Sequence, residues 1–232
     1  MAESNLEMLL IAVENLGDLK NELVFVGGCM TELLITDAGA AEPRQTKDVD
    51  TIVEAASYAE YNAFSEKLKA AEFREDTSEN APLCRWVKES TILDVMPLDE
   101  KTLGFTNSWY KSAMKTAQER EISSNLTIKA VSPVYFCATK MEAFDGRGNG
   151  DYLGSHDLED IIAVIDGRIE LIAEIENAAT DVRLYIAEKI KSWLENDKFT
   201  DALPGHLGSA SDLSRLGIVM ERLKKIAGLV EK

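Results

Sequence analysis

The sequence predicts an α/β fold, a small mixed β-sheet with helices that is followed by an all-helical C-terminal part. Apolar runs of strand length alternate with helical periodicity through the first 130 residues, whereas only helical periodicity follows Pro133. With 232 residues, of which 45% are apolar and 28% charged, the chain can bury a core of its own. We therefore expect a sheet domain at residues 1–130 and a helical domain at residues 131–232.

The first domain opens with a helix, since Ser4 and Glu7 form a capping box before apolar residues at helical spacing. Residues 23–26 are a wholly apolar run that ends in Gly27-Gly28, which is typical of a buried strand entering a tight turn. A short helix to residue 36 and an exposed loop at residues 37–47 should follow. A strand at residues 49–53 and a helix at residues 58–71 come next.

The end of the sheet domain contains a strand pair. The runs at residues 83–88 and 91–96 are separated by Glu89-Ser90, which predicts an antiparallel arrangement. Residues 109–117 favour one or two helical turns. In the second domain we expect a glycine-rich loop at residues 146–154 and five helices, at residues 134–144, 157–165, 168–178, 181–195 and 211–229.

Composition and charge exclude several classes of protein. No apolar run approaches the roughly 20 residues of a membrane span, and the N-terminal residues do not resemble a signal peptide, so we expect a cytoplasmic protein. The three cysteines (Cys29, Cys84 and Cys137) are expected in the core. The net charge of −16 disfavours binding to duplex DNA. Residues 101–147 are nevertheless net basic at +3, against −19 elsewhere, and could accept a phosphate-bearing ligand.

Glycines and aspartates suggest where chemistry takes place. Backbone amides at Gly27-Gly28 suit an anion because the turn leads into a helix. Asp48 and Asp50 stand at i and i+2 on a strand and so share a face, and Asp94 lies within an otherwise apolar strand. No cationic partner for Asp94 is evident in the sequence, and like charges side by side favour a divalent ion. If the strands are neighbours, the three carboxylates form a two-metal phosphoryl-transfer site.

This order of motifs resembles the DNA polymerase β-like nucleotidyltransferase superfamily. The context is most similar to its AbiEii-type branch of toxin-antitoxin nucleotidyltransferases, on the segments RQTKDVD at residues 44–50, ATKMEA at residues 138–143 and DLED at residues 157–160. The match spans about three-fifths of the chain, residues 23–165. The nineteen residues between Gly28 and Asp48 are more than the superfamily usually has, and we attribute the excess to the loop at residues 37–45.

The resemblance implies a role for each matched residue. Asp48, Asp50 and Asp94 would bind two Mg²⁺ ions and act in catalysis. The donor, a nucleoside triphosphate such as ATP, would be held by five residues: Gly27, Gly28, Thr46, Lys47 and Lys140. Asp157 is a further acid of the pattern, although taken alone it favours a cap of the helix that follows.

We therefore expect a Mg²⁺-dependent transfer of a nucleoside monophosphate to an acceptor, with pyrophosphate leaving. An RNA or tRNA end is the favoured acceptor, approached along Lys111, Lys115 and Arg120, which should lie beside Asp94. The protein could then be a toxin with an antitoxin partner. The acidic charge of the chain favours instead a cationic acceptor such as an aminoglycoside, and a protein hydroxyl is a third possible acceptor. The alternative class of function is a non-catalytic nucleotide-binding or antitoxin-like protein.

Overall fold

A computed structural model describes residues 4–207 and 213–231 of the protein. Its contacts divide the chain into two compact units. The sheet unit contains the residues up to Met30 together with Gln45–Ser132, and the helical unit contains Thr31–Arg44 together with the chain from Pro133 onward. The loop that was expected to be exposed in the first domain thus belongs largely to the second unit.

The sheet unit is built on seven strands in the order β3-β4-β5-β2-β1-β7-β6. They are β1 (Leu23–Val26), β2 (Val49–Val53), β3 (Arg74–Glu75), β4 (Arg85–Lys88), β5 (Thr91–Pro97), β6 (Gln118–Ser123) and β7 (Leu126–Ala130). Strand β2 runs antiparallel to β1 and parallel to β5, and β1 runs parallel to β7. The predicted α/β class with a mixed sheet is therefore confirmed.

Four α-helices of the sheet unit are α1 (Asn5–Leu16), α3 (Tyr58–Ala70), α4 (Glu100–Leu103) and α5 (Tyr110–Lys115), and 3₁₀ turns lie at Gly17–Glu22 and Gly28–Met30. The capping box at the start of α1 is present, because the Ser4 hydroxyl accepts from the Glu7 amide and the Glu7 carboxylate accepts from the Ser4 amide. All four residues of β1 are buried, as expected of a strand covered on both faces.

The hairpin of β6 and β7 was not predicted. Strand β6 reads Gln-Glu-Arg-Glu-Ile-Ser and only Ile122 in it is buried, so its sequence carries almost no apolar signal. Charged residues are typical of a strand at the edge of a sheet, and β6 is such a strand. Its place in the sheet follows from β7, whose Ala130 is paired with Phe25 of the central β1.

The helical unit begins with α2 (Thr31–Leu34), which is followed after the loop by α6 (Pro133–Arg147), α7 (His156–Gly167), α8 (Leu171–Glu176), α9 (Thr180–Leu194), α10 (Asp197–Ala202) and α11 (Leu213–Ala227). Part of its core is an aromatic cluster of Phe144, Tyr152, Trp193 and Phe199, with ring centroids 5.3–5.9 Å apart. Helix α10 was missed, since it has only six residues. Residues 211 and 212 of the predicted last helix lie outside the described residues.

Helix α8 is shorter than predicted at its start. Arg168 has an extended backbone after α7, and its guanidinium donates to Leu34 O at 2.9 Å and to both oxygens of Glu174 at 2.7 Å.

The three cysteines are buried, as expected. No helix in the described part of the chain is long and apolar enough to cross a membrane.

Candidate functional site

Gly27 closes β1 and lies against the carboxylate of Asp50. Its φ is +72°, a conformation that residues with a side chain rarely adopt. A Cβ added at this position would stand 1.9 Å from Oδ2 and 2.6 Å from Cβ of Asp50. The glycine is therefore required twice, by the turn and by the close approach of the aspartate. The chain continues from it into the 3₁₀ turn that begins at the buried Gly28.

The sheet register brings two of the predicted aspartates together. Asp50 is paired with Val26 on one side and with Asp94 on the other, the latter across the parallel strands β2 and β5. Partners in register point to the same face of a sheet, so both carboxylates lie on one face. Asp94 is only 6% exposed, within a strand whose other residues are mostly buried.

Asp48 precedes β2 rather than lying within it, as the strand begins at Val49. The Thr46 hydroxyl donates to Asp48 Oδ1 at 3.0 Å, and the Thr46 amide donates to Asn5 Oδ1 at 2.9 Å. Of the two predicted nucleotide-binding residues here, Thr46 thus orients an aspartate, and Lys47 is exposed. Nucleotide binding by either residue stays a prediction.

A residue that the sequence reasoning missed, Arg85, joins two of the carboxylates. Its Nε donates to Asp94 Oδ1 and its Nη2 to Asp94 Oδ2, both at 2.8 Å, and Nη2 also reaches Asp48 Oδ2 at 2.5 Å. The expectation that Asp94 has no cationic partner in the sequence is therefore wrong. Strand register could have revealed it, because counting outward from the pair Lys88 and Thr91 beside the turn places Arg85 opposite Asp94.

The acidic side chains at this end of the sheet raise the pKa values of their neighbours. Hydrogen bonding to Asp94 raises the pKa of Arg85 above its ordinary value, despite burial. Burial, together with the nearby charges of Asp94 and Asp50, raises the pKa of the Cys84 thiol to about 12. Cys84 therefore stays a neutral thiol at neutral pH, and the site has no thiolate nucleophile at this position.

The carboxylates suit a hard divalent cation in the type of their ligand atoms. Carboxylate oxygens are the ligands that Mg²⁺ prefers, and the space at Gly27 that a Cβ would fill lets Asp50 come close to the turn. Arg85, however, already holds Asp48 and Asp94. Within residues 4–207 and 213–231, no three Asp, Glu, His or Cys side chains form a group that could hold a metal ion. An ion would therefore compete with Arg85 for the carboxylate oxygens.

In the helical unit, Lys140 belongs to a buried ionic cluster. Its ammonium lies 3.1 Å from Asp157 and 2.7 Å from Asp160, and the lysine is only 5% exposed. Arg147 pairs with Asp157, and Arg44 pairs with both oxygens of Asp160 at 2.9 Å. The cluster ties the loop that contains Arg44 to α7. Contact of Lys140 with a donor phosphate stays a prediction.

Asp157 is not a helix cap. The cap of α7 is Ser155, whose hydroxyl accepts from the Leu158 amide. Asp157 lies in the first turn instead, where the helix dipole favours a negative charge. Burial opposes its ionisation, yet hydrogen bonds from Arg147 and Lys140 outweigh burial and lower the pKa of Asp157 to about 2. The carboxylate is therefore charged at all physiological pH values.

Of the three bases expected to contact an acceptor, two lie away from Asp94. Arg120 lies on β6, the edge strand that three others separate from β5. Lys115 lines a cleft of about 490 Å³ together with Lys129, at the start of β1 and the end of β2, which is opposite to the end at Gly27. Lys111 is exposed on α5. Arg120 was expected to lie beside Asp94, and the strand order shows that it does not.

Comparison with known proteins finds a similarity to a solved structure. No protein-family model matches the sequence, and no curated protein does. Among solved structures, the chain is similar to the crystal structure of an antigenic nucleotidyltransferase-like protein from Paracoccidioides brasiliensis, at 18% sequence identity and a TM-score of 0.49, over 91% of this chain and 97% of that one. What the chain does must therefore follow from its own side chains.

Proposed function

We propose that the chain is a Mg²⁺-dependent nucleotidyltransferase. The observation that carries the proposal is the meeting of Gly27, Asp50 and Asp94 at one end of the sheet, with Asp48 joined to Asp94 through Arg85. Acidic side chains are costly to hold together, so their convergence on one face favours a site that receives cations. The sequence resemblance to nucleotidyltransferases rests on the same residues.

The reaction is the transfer of a nucleoside monophosphate. The acceptor oxygen forms a bond to the α-phosphorus, the bond from that phosphorus to the leaving oxygen breaks, and pyrophosphate departs while the acceptor hydroxyl loses its proton. Two Mg²⁺ ions, when bound, would neutralise the triphosphate and align it with the acceptor. Asp48, Asp50 and Asp94 would hold those ions, and the backbone at Gly27-Gly28 would approach the phosphates closely because it carries no side chain.

For the acceptor we propose an RNA end, with tRNA among the candidates. Support comes from the basic stretch at residues 101–147, which contrasts with the acidic rest of the chain. Lys111, Lys115 and Arg120 would contact the acceptor backbone away from the reacting end. A transferase of this kind could act as the toxin of a pair with an antitoxin protein. Aminoglycosides and protein hydroxyls are the other acceptors that a test should include.

One observation favours a second candidate, a nucleotide-binding protein without catalysis. Arg85 supplies a fixed positive charge to Asp48 and Asp94, and a protein that had no use for metals would keep its acids stable in this way. The same arrangement also suits an enzyme whose aspartates have not yet bound their metal ions. Activity distinguishes the two.

The experiment incubates the protein and Mg²⁺ with each α-labelled nucleoside triphosphate and with total RNA, an aminoglycoside panel, a protein mixture or no acceptor. We expect label on RNA, and we expect Asp50→Asn to reduce it at least tenfold while the protein stays folded. Asp18→Asn, an exposed aspartate in the same unit, is the matched control. Binding of triphosphate without transfer to any acceptor would select the non-catalytic candidate.

The acceptor proposal has its own test. Reversing the charge of Lys111, Lys115 and Arg120 together should weaken RNA modification, and the wild-type reaction should depend on salt with a log–log slope of about −2 to −3, as expected for about three phosphate contacts. Reversal of three bases outside the basic stretch (Lys20, Lys69 and Arg74) is the control. Unaltered RNA modification in the first variant would exclude these residues as the acceptor surface.

A further inference from the structure

We propose that Arg85 is a positioning residue that competes with the divalent ion for the site. It holds Asp48 and Asp94 together until an ion binds, and the ion must displace it. The inference rests on the proposed function in one respect, that an ion is needed at these aspartates. It assigns Arg85 a defined effect on metal affinity that can be measured without any transfer reaction.

The geometry shows that the guanidinium uses the oxygens an ion would need. The fork of Nε and Nη2 engages both oxygens of Asp94, and Nη2 is shared with Oδ2 of Asp48. Planar, two-point pairing of this kind is the strongest contact that an arginine makes with a carboxylate. An ion that binds Asp94 must therefore compete with the guanidinium for the same oxygens, and the like charges of the ion and the guanidinium oppose their sharing the carboxylate.

Burial explains why a cation must be present when no ion is bound. The side chain of Asp94 is 9% exposed and faces out of a strand that is otherwise apolar apart from Thr91. A buried carboxylate without a cation is strongly disfavoured. Arg85 supplies that cation in the chain itself, and because a guanidinium does not lose its proton, its charge is present at every pH in the working range.

Partial exposure explains how Arg85 could give way. Its side chain is 21% exposed and that of Asp48 is 27% exposed, so the contact between them is open to solvent while Asp94 is not. A displaced guanidinium can make the same two-point contact with phosphate oxygens. Metal binding and triphosphate binding should therefore favour each other at this site.

The test is a Mn²⁺ titration of the nucleotide-free protein, followed by the electron paramagnetic resonance signal of free Mn²⁺. We expect Arg85→Gln to bind Mn²⁺ at least tenfold more tightly than wild type, since the carboxylates no longer have a competing cation. Arg74→Gln removes the same charge from an exposed position on β3 and is the matched control, with wild-type affinity expected. Equal or weaker Mn²⁺ binding by a folded Arg85→Gln variant would overturn the proposal.

Two further variants secure the interpretation. Arg85→Lys keeps the charge but lacks the fork, so it should also bind Mn²⁺ more tightly than wild type, and it decides the question if Arg85→Gln does not fold. Adding Asp94→Asn to whichever variant folds should abolish the gain, and a gain that persists would overturn the role of Asp94. Absence of nucleotidyl transfer together with tighter Mn²⁺ binding by the Arg85 variants would refute the proposed function alone. Transfer with unchanged Mn²⁺ binding would refute only the role of Arg85.

Discussion

Replacement of Gly27 by alanine tests how the turn and the aspartate depend on each other. The φ of +72° alone disfavours an L-residue by about 1–2 kcal/mol. In addition, the new Cβ would meet Oδ2, Cγ and Cβ of Asp50 at 1.9, 2.5 and 2.6 Å. Since Cβ of Asp50 is attached directly to the backbone of β2, a change of the Asp50 rotamer cannot relieve the clash. Overpacking of this kind costs about 1–3 kcal/mol more.

The matched control is Gly104→Ala. Gly104 has a φ of +81°, but an added Cβ would meet no atom within 4 Å, so this variant carries the backbone penalty without the clash. We expect Gly27→Ala to lower the free energy of unfolding by about 2–5 kcal/mol and Gly104→Ala by about 1–2 kcal/mol. Urea unfolding followed by circular dichroism measures both, and the transfer assay should show an activity loss only for Gly27→Ala.

A double-mutant cycle isolates the contact. Asp50→Gly removes all three atoms that the new Cβ would meet, so in that background Gly27→Ala should cost no more than Gly104→Ala costs in wild type. The reasoning is refuted if Gly27→Ala and Gly104→Ala are equally destabilising in the wild-type background. It is also refuted if Asp50→Gly leaves the excess penalty of Gly27→Ala unchanged.

Two other predictions concern the helical unit. Lys140→Met should lower the free energy of unfolding by about 3–5 kcal/mol, because it leaves Asp157 and Asp160 short of a buried cation, whereas Lys189→Met, which breaks an exposed pair with Asp145, should cost about 0–1 kcal/mol; equal losses in urea unfolding would contradict this. The pKa of Asp157 falls from 3.8 to about 2 on folding, so its charge contributes roughly 2 kcal/mol above pH 4 that is lost as the pH falls towards 2. Asp157→Asn should therefore flatten the acid limb of the stability–pH curve, and an unchanged limb would exclude Asp157 as its source.

Several features of this chain follow from local pattern alone. The apolar run before Gly27 predicted a buried strand and a tight turn, and Ser4 with Glu7 predicted the start of the first helix; both are observed. The strands around Glu89-Ser90 were predicted as an antiparallel pair, which the register confirms. Such features depend on neighbours in the sequence, whose spacing sets the hydrophobic period and the capping contacts.

Other features had no local signal. Strand β6 is an edge strand with a polar sequence, and only its pairing with β7 makes it a strand. Helix α10 is a six-residue element and too short for a periodic pattern to reveal it. None of residues 37–47 is buried, in agreement with the predicted exposed loop, but the attachment of this loop to the helical unit, through Asp37 with Arg215 and Arg44 with Asp160, had no local signal.

Some features of the candidate site could likewise be predicted from the sequence, and others could not. Residue type and order singled out Asp48, Asp50 and Asp94, because closely spaced acids and an acid in an apolar strand are costly without a cation. The identity of that cation in the chain, Arg85, depended on strand register, and the surroundings of Lys140 depended on which carboxylates α7 brings to it. The sequence shows that a charged residue is present, but only the packing of the fold decides which opposite charge lies against it. Burial makes that partner necessary because it removes the water that would otherwise solvate both groups.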